Sequence, residues 1–290
     1  FVGDHWVSYS AVKVSNSRKY SSYGRFAIYR ATADTPFGLY KSVSRKPLVV
    51  SDKEKDPAGV LDPEVFVDQS SPTKQAYLLY KTEGNRQGNP PALWSRKLDA
   101  EGTSFAKGSK AVKLLARTKN RPWEGRIIEN PSMIKLNGVY LLFYSANDYP
   151  TRRYTTAYAI CENGPSAPCT KPKDGRLLTS RKGSYGPGGA DALVDDRGRN
   201  LLMYHAYPRL KGTRGIGGRQ PRVAEFTVAP GGKVTIVHRT VTAGGGPDGQ
   251  TWYGGPNATF TAVKEDVSGD FTPIVADMNH DGTDDIALYR

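Results

Sequence analysis

A short strand-like segment of aromatic and aliphatic residues recurs four times along this chain, at 6–11 (WVSYSA), 77–81 (YLLYK), 139–145 (VYLLFYS) and 201–206 (LLMYHA). Taking Tyr9, Tyr80, Tyr144 and Tyr204 as markers, the intervals are 71, 64 and 60 residues. A period of that size predicts a repeat architecture with one four-stranded unit per repeat. The second, third and fourth copies each follow another apolar segment about one hairpin upstream, at 60–67 (VLDPEVFV), 127–134 (IIENPSMI) and 188–194 (GGADALV). Those segments are expected to be the innermost strands of successive propeller blades. The links agree: Asn137-Gly138 predicts a tight hairpin and the DDRG stretch at 195–198 a longer one. Third strands are predicted at 155–160 and 222–228. A β-sandwich, the competing all-β fold, would show turns every 8 to 12 residues or so without a longer period.

Composition supports strands over helices. Thirty-one Gly, twenty Pro and seventeen Tyr in 290 residues favour short strands and tight turns. No apolar run approaches the roughly 20 residues that span a bilayer, so no membrane segment is expected. The first marker strand begins almost at Phe1, with no inner strand before it, so Phe1 is expected to lie inside a longer protein. Cys161 and Cys169, eight residues apart in a Gly/Pro-rich stretch, are predicted to close a disulfide, with two free thiols as the other reading.

A net charge of +13 raises the question of nucleic acid or another polyanion. The basic residues are scattered through turns, the densest run being Lys107 to Arg121, and no nucleic-acid-binding signature surrounds them. A solvated basic surface without a nucleic-acid partner is the expectation.

Two of the inner strands carry a carboxylate beside a proline: Asp62 in Leu61-Asp62-Pro63 and Glu129 in Glu129-Asn130-Pro131. One blade apart in a propeller, both would point into one mouth of the axial channel. Like charges confined there push one pKa up, and a carboxyl kept protonated in this way can act as a general acid. Glycosidic cleavage needs such an acid and a second carboxylate across the sugar ring. The alternative is that Asp62 and Glu129 only satisfy local backbone N–H groups.

Together these segments resemble glycoside hydrolase family 43, the arabinanase, arabinofuranosidase and β-xylosidase family. The resemblance rests on VLDPEVFVD at 60–68, AYLLYK at 76–81, WEGRIIENPSM at 123–133, GVYLLFYS at 138–145, YAIC at 158–161, GPG at 186–188 and MYHA at 203–206. It implies an all-β, five-bladed β-propeller whose first blade precedes Phe1. It also implies an inverting hydrolase in which Glu129 is the general acid, Asp62 orients it, and a base has no counterpart in this chain. Asp4, in the turn before the Trp6 strand, is a poor substitute for that base. Many family members place a His after Gly-Pro-Gly, near the substrate, where this chain has Gly189. Asp191 and His205 are the candidates to take over substrate contacts, and Trp94, Trp123 or Tyr149 could stack on sugar rings; strand capping and core packing are the competing roles. The resemblance further implies a secreted, monomeric protein acting on arabinan, arabinoxylan or a similar polysaccharide.

The propeller is expected over 1–240, a linker or final-blade region over 241–268, and a separate unit over 269–290. In that last stretch Asp277, Asn279, Asp281 and Asp285 place oxygen ligands around Gly282, as a hard cation such as calcium requires. The loop lacks the final Glu and the helices of an EF-hand and resembles an FG-GAP-type repeat, with a solvated acidic turn as the alternative. No cofactor is expected for the hydrolytic chemistry. A non-catalytic sugar-binding propeller and a basic adhesion module are the rival functions.

Overall fold

The structure, a computed structural model, describes residues 1–15, 24–50, 59–83, 91–195 and 197–239, with the backbone of 272–276 and 285–289. Strands dominate, and the only described helical pieces are two 3-10 turns at Pro122–Glu124 and Gly164–Ser166. The first sheet has three strands in the order β1 (Trp6–Ser15), β2 (Arg25–Ala33) and β3 (Lys41–Ser42). The second is a four-stranded meander of β4 (Val60–Asp68), β5 (Gln75–Thr82), β6 (Ala92–Lys97) and β7 (Val112–Ala116). The third repeats it with β8 (Ile128–Leu136), β9 (Val139–Ala146), β10 (Thr155–Cys161) and β11 (Arg176–Leu178). The fourth begins with β12 (Tyr185–Val194) and β13 (Asn200–Tyr207). A small hairpin, β14 (Arg209–Lys211) and β15 (Arg214–Ile216), interrupts it before β16 (Gln220–Val228) and β17 (Val234–Arg239) complete it. Near the C-terminus β18 (Thr272–Ala276) pairs antiparallel with β19 (Asp285–Tyr289). The repeat period thus corresponds to one sheet, and each predicted inner segment is an edge strand of its sheet.

The marker strands in β5, β9 and β13 lack hydrophobic alternation because both of their faces are buried. On β9, Leu142 and Tyr144 pack with Phe66, Leu79, Leu93 and Ile128 between the second and third sheets. Leu141 and Phe143 turn the other way, onto Leu202, Tyr204, Ala224 and Phe226 of the fourth. Val2, Ile28, Val60, Leu78 and Tyr80 join the first sheet to the second. Four sheets stacked face to face through alternate sides of their second strands form the blade packing of a propeller. Burying a Leu or Phe side chain there contributes about 1.5–3 kcal/mol.

The β8–β9 hairpin turns on Asn137 and Gly138, with φ of 50° and 80°. That pair of left-handed residues closes a two-residue loop whose twist matches the flanking strands. Cys161, buried in β10, is disulfide-bonded to Cys169, with Cα atoms 4.2 Å apart.

Candidate active site at the inner-strand bulges

Every inner strand breaks register at the same place. In β4 the ladder shifts between Leu61 and Glu64, in β8 between Glu129 and Ser132, and in β12 between Gly188 and Asp191. The residue after the first of each pair is left-handed: Asp62 at φ 51°, Asn130 at 50° and Gly189 at 60°. Asp, Asn and Gly are the residues that adopt this conformation at least cost, so the bulge is written into all three repeats.

The bulges set the equivalences between sheets. Leu61, Glu129 and Gly188 occupy one position; Asp62, Asn130 and Gly189 the next; Glu64, Ser132 and Asp191 a third. Asp62 and Glu129 are therefore offset by one residue rather than equivalent, and the offset lets each face the other from neighbouring strands. Opposite the first position on the second strands stand Lys81, Ser145 and His205.

A bulge frees backbone N–H groups, and the preceding sheet accepts them. Asp62 Oδ2 accepts from Asn130 N at 3.0 Å, and Glu64 Oε1 accepts from Met133 N at 3.1 Å. One sheet on, Ser145 Oγ accepts from Gly189 N at 2.7 Å and Ser132 Oγ from Ala192 N at 3.1 Å. Ser132 donates in turn to Asp191 Oδ1 at 2.7 Å. The carboxylates thus lock adjacent sheets together while they line the inner wall.

At the centre of this wall Glu129 is held at both oxygens. Lys81 Nζ donates to Oε2 at 2.9 Å, and the Tyr154 hydroxyl donates to Oε1 at 2.7 Å. Tyr154 Oη also accepts from Asn130 Nδ2 at 2.8 Å. Lys81 is fully buried and has a second acceptor, Glu83 Oε2, at 3.1 Å. Burial alone would lower the Lys81 pKa, but Glu129, Glu83 and Asp62 outweigh it and hold the ammonium above its ordinary range.

Asp62 behaves differently. Burial pushes its carboxyl up to about 6, with Lys81 and the Asn130 N–H opposing the shift and Glu129 adding to it. Glu64 is also driven well above its usual value, by burial and then by Asp191. The inner wall can therefore hold protonated carboxyls near neutral pH.

Gly188 and Gly189 leave room for this arrangement. A Cβ on Gly188 would lie 2.0 Å from Cε1 of Tyr154, and one on Gly189 would lie 2.6 Å from Nε2 of His205. His205 stacks parallel to Tyr154 with ring centroids 6.0 Å apart, and Arg219 Nη1 lies 3.4 Å from Nε2. Burial, followed by Arg219, pushes the imidazole down to about 3, so it is neutral over the physiological range. The side chain of His205 thus borders the space that a side chain at position 189 would enter.

The aromatic candidates each carry a basic side chain near the ring. Trp94 is half-buried on β6, donates from Nε1 to Thr82 Oγ1 at 3.1 Å and carries Lys113 Nζ 4.9 Å from its ring centre. Arg121 and Arg176 lie 5.9 and 5.7 Å from the Trp123 ring, and Arg219 lies 5.3 Å from that of Tyr149. Asp4 occupies a turn bridged between Val2 and His5. Asp277, Asn279 and Asp281 lie outside the described residues, and for Asp285 only the backbone, at the start of β19, is described. Sequence reasoning missed Lys81, Tyr154 and Glu64. A lysine inside the apolar run of β5 was the available signal for the first; Tyr154, in a loop, carried none.

The sequence model of glycosyl hydrolases family 43 matches residues 1–234. No curated protein matches the chain. Among solved structures, a thermostable family-43 glycoside hydrolase superposes with a TM-score of 0.67 at 22% identity, covering 85% of this chain and 75% of the other. An endo-1,4-beta-xylanase from Bacteroides thetaiotaomicron gives 0.60 at 23% identity over 82% and 77% of the two chains. An alpha-L-arabinofuranosidase from Lactobacillus brevis gives 0.61 at 20% identity over 80% and 71%. These likenesses establish a shared fold, and the family match runs through all four sheets to the first residue of β17. The chain belongs to glycosyl hydrolases family 43 and is a glycoside hydrolase.

Proposed function

We propose that the protein hydrolyses O-glycosidic bonds in arabinose- or xylose-containing polysaccharides by an inverting mechanism, with Glu129 as general acid and Asp62 as the residue that orients it. The observation that carries this reading is the meeting of Asp62 and Glu129 from adjacent bulges, around one buried lysine. The xylanase and arabinofuranosidase among the similar structures support the substrate class.

In this mechanism Glu129, ion-paired with Lys81 before the reaction, takes up a proton from solvent and gives it to the leaving glycosidic oxygen as the bond to the anomeric carbon breaks. Tyr154 and Lys81 hold the two oxygens in place, and Asp62 fixes the neighbouring backbone through Asn130 N. Water attacks from the opposite face once a base has taken its proton. We assign that base to a third carboxylate, distinct from Asp62 and Glu129. His205, Asp191 and Trp94 are assigned substrate contacts.

We assign 1–240 to the propeller, 241–268 to a linker or final-blade region, and 269–290 to an FG-GAP-type unit of a secreted, monomeric protein. In that last unit Asp277, Asn279, Asp281 and Asp285 would hold calcium. An all-oxygen donor set suits that ion.

Glu129→Gln should abolish sugar release from arabinan and arabinoxylan while leaving circular dichroism unchanged. Undiminished release would remove Glu129 from the mechanism.

A further inference from the structure

Away from the inner-strand carboxylates, three arginines gather between the third and fourth sheets. Arg222 stands on β16 opposite Tyr204 and is only 2% exposed. Its Nη2 donates to the Gly183 carbonyl at 2.8 Å and to Gln220 Oε1 at 3.4 Å, but its Nε and Nη1 are buried without a hydrogen-bond partner. Arg181, in the loop between β11 and β12, donates from Nη2 to the Arg239 carbonyl at 2.9 Å, and its buried Nε is also unpartnered. Arg239, at the end of β17, donates from Nη1 to the Thr179 carbonyl at 3.2 Å. A cavity of about 270 Å³ opens beside Arg181 and Arg239, lined also by Thr179, Ile236 and His238 among others, and Arg222 is not part of its wall.

Three features make this cluster unusual. Every hydrogen bond these guanidiniums make goes to a neutral oxygen, and no carboxylate among the described residues pairs with any of them. Burial pushes Arg222 and Arg239 below their ordinary values, and Arg181 pushes both further in the same direction. A buried N–H of a charged group left unpaired costs more than a neutral one, about 1–3 kcal/mol or above, so a fold that retains three such donors is complete only with an acceptor. The acceptor must be anionic and offer several oxygens, which is the chemistry that arginine forks recognise.

We propose that Arg181, Arg222 and Arg239 form a binding site for an oxyanion group, a carboxylate, sulfate or phosphate, seated at the cavity between the third and fourth sheets. Arg181 and Arg239 on the cavity wall face the ligand, with the free Nε of Arg181 as donor, and the buried Arg222 adds its charge from behind them. Its ligand is either a sugar-borne carboxylate or a free inorganic anion.

Thermal unfolding of the whole chain in sodium sulfate, phosphate, acetate and glucuronate, each balanced with sodium chloride to one ionic strength, tests the proposal. At least one anion should raise Tm along a saturable curve, and the half-saturating concentration should rise about tenfold or more in Arg181→Gln and in Arg239→Gln. These two arginines are less buried than Arg222, so their variants should keep the wild-type circular dichroism where Arg222→Gln could fail to fold. Glucuronate acting at lower concentration than acetate, sulfate or phosphate would support the site with a sugar carboxylate as ligand; the reverse order would support it with an inorganic anion. Identical Tm values across all salts, or one saturation curve shared by wild type and both variants, would overturn it.

Discussion

Lys81 Nζ lies 2.9 Å from Glu129 Oε2, an ion pair between a fully buried lysine of β5 and a glutamate 48 residues later on the adjacent sheet. Glu83 shares the same ammonium at 3.1 Å. Removing one member of a buried, hydrogen-bonded charge cluster leaves the others uncompensated, which costs about 3–5 kcal/mol. Lys81→Met should therefore lower the urea midpoint sharply. A loss below about 1 kcal/mol would show that the two glutamates are well served by solvent.

Asp62 makes stability depend on pH in a defined direction. Its folded-state pKa of about 6 lies above the ordinary 3.8, so the folded protein binds that proton more tightly than the unfolded chain. The resulting stabilisation is complete below about pH 4 and is lost as pH rises through about 6, an effect on the order of 3 kcal/mol. Asp62→Asn keeps an acceptor for Asn130 N but cannot ionise. Relative to that variant, the wild type should lose stability between pH 4 and 7 in urea titrations, and parallel curves would refute the assignment.

Gly188→Ala should destabilise through sterics alone. Its Cβ would sit 2.0 Å from a ring carbon of Tyr154, whose hydroxyl must stay on Glu129. Overpacking of this kind costs about 1–3 kcal/mol. Because the displaced ring also releases Glu129, kcat should fall more than KM rises. Wild-type kinetics in a folded Gly188→Ala variant would argue that Tyr154 has no part in positioning the acid.

The Cys161–Cys169 bond closes a loop of eight residues against the buried face of β10. Loop-closure entropy for that length corresponds to roughly 2–3 kcal/mol. The Cys161→Ala/Cys169→Ala double variant should unfold at a correspondingly lower denaturant concentration, with the m-value little changed. An unaltered midpoint would mean that native packing already restrains the loop.

Much of the blade pattern was legible because it is local. The tyrosine period, the Asn137-Gly138 hairpin and the inner segments at 60–67, 127–134 and 188–194 all depend on strand and turn chemistry within a few residues. The carboxylates were legible too, but their relation was misjudged: Asp62 and Glu129 suggest equivalent positions by spacing, yet the bulges align Asp62 with Asn130 and Glu129 with Leu61. A left-handed residue in mid-strand shifts the inside-outside alternation by one, and the bare sequence does not announce where that shift falls.

By itself the sequence determined the inner and marker strands, the Asn137-Gly138 turn, the family resemblance and the two acidic inner strands, because each follows from residue type at short range. Only the tertiary structure decided that Lys81 reaches Glu129, that Tyr154 fills the space above Gly188, that His205 borders Gly189, and that three arginines converge without an acid. Those partners lie far apart along the chain. They meet because neighbouring sheets stack and bulges turn their side chains toward one another, a geometry fixed by packing across the whole fold.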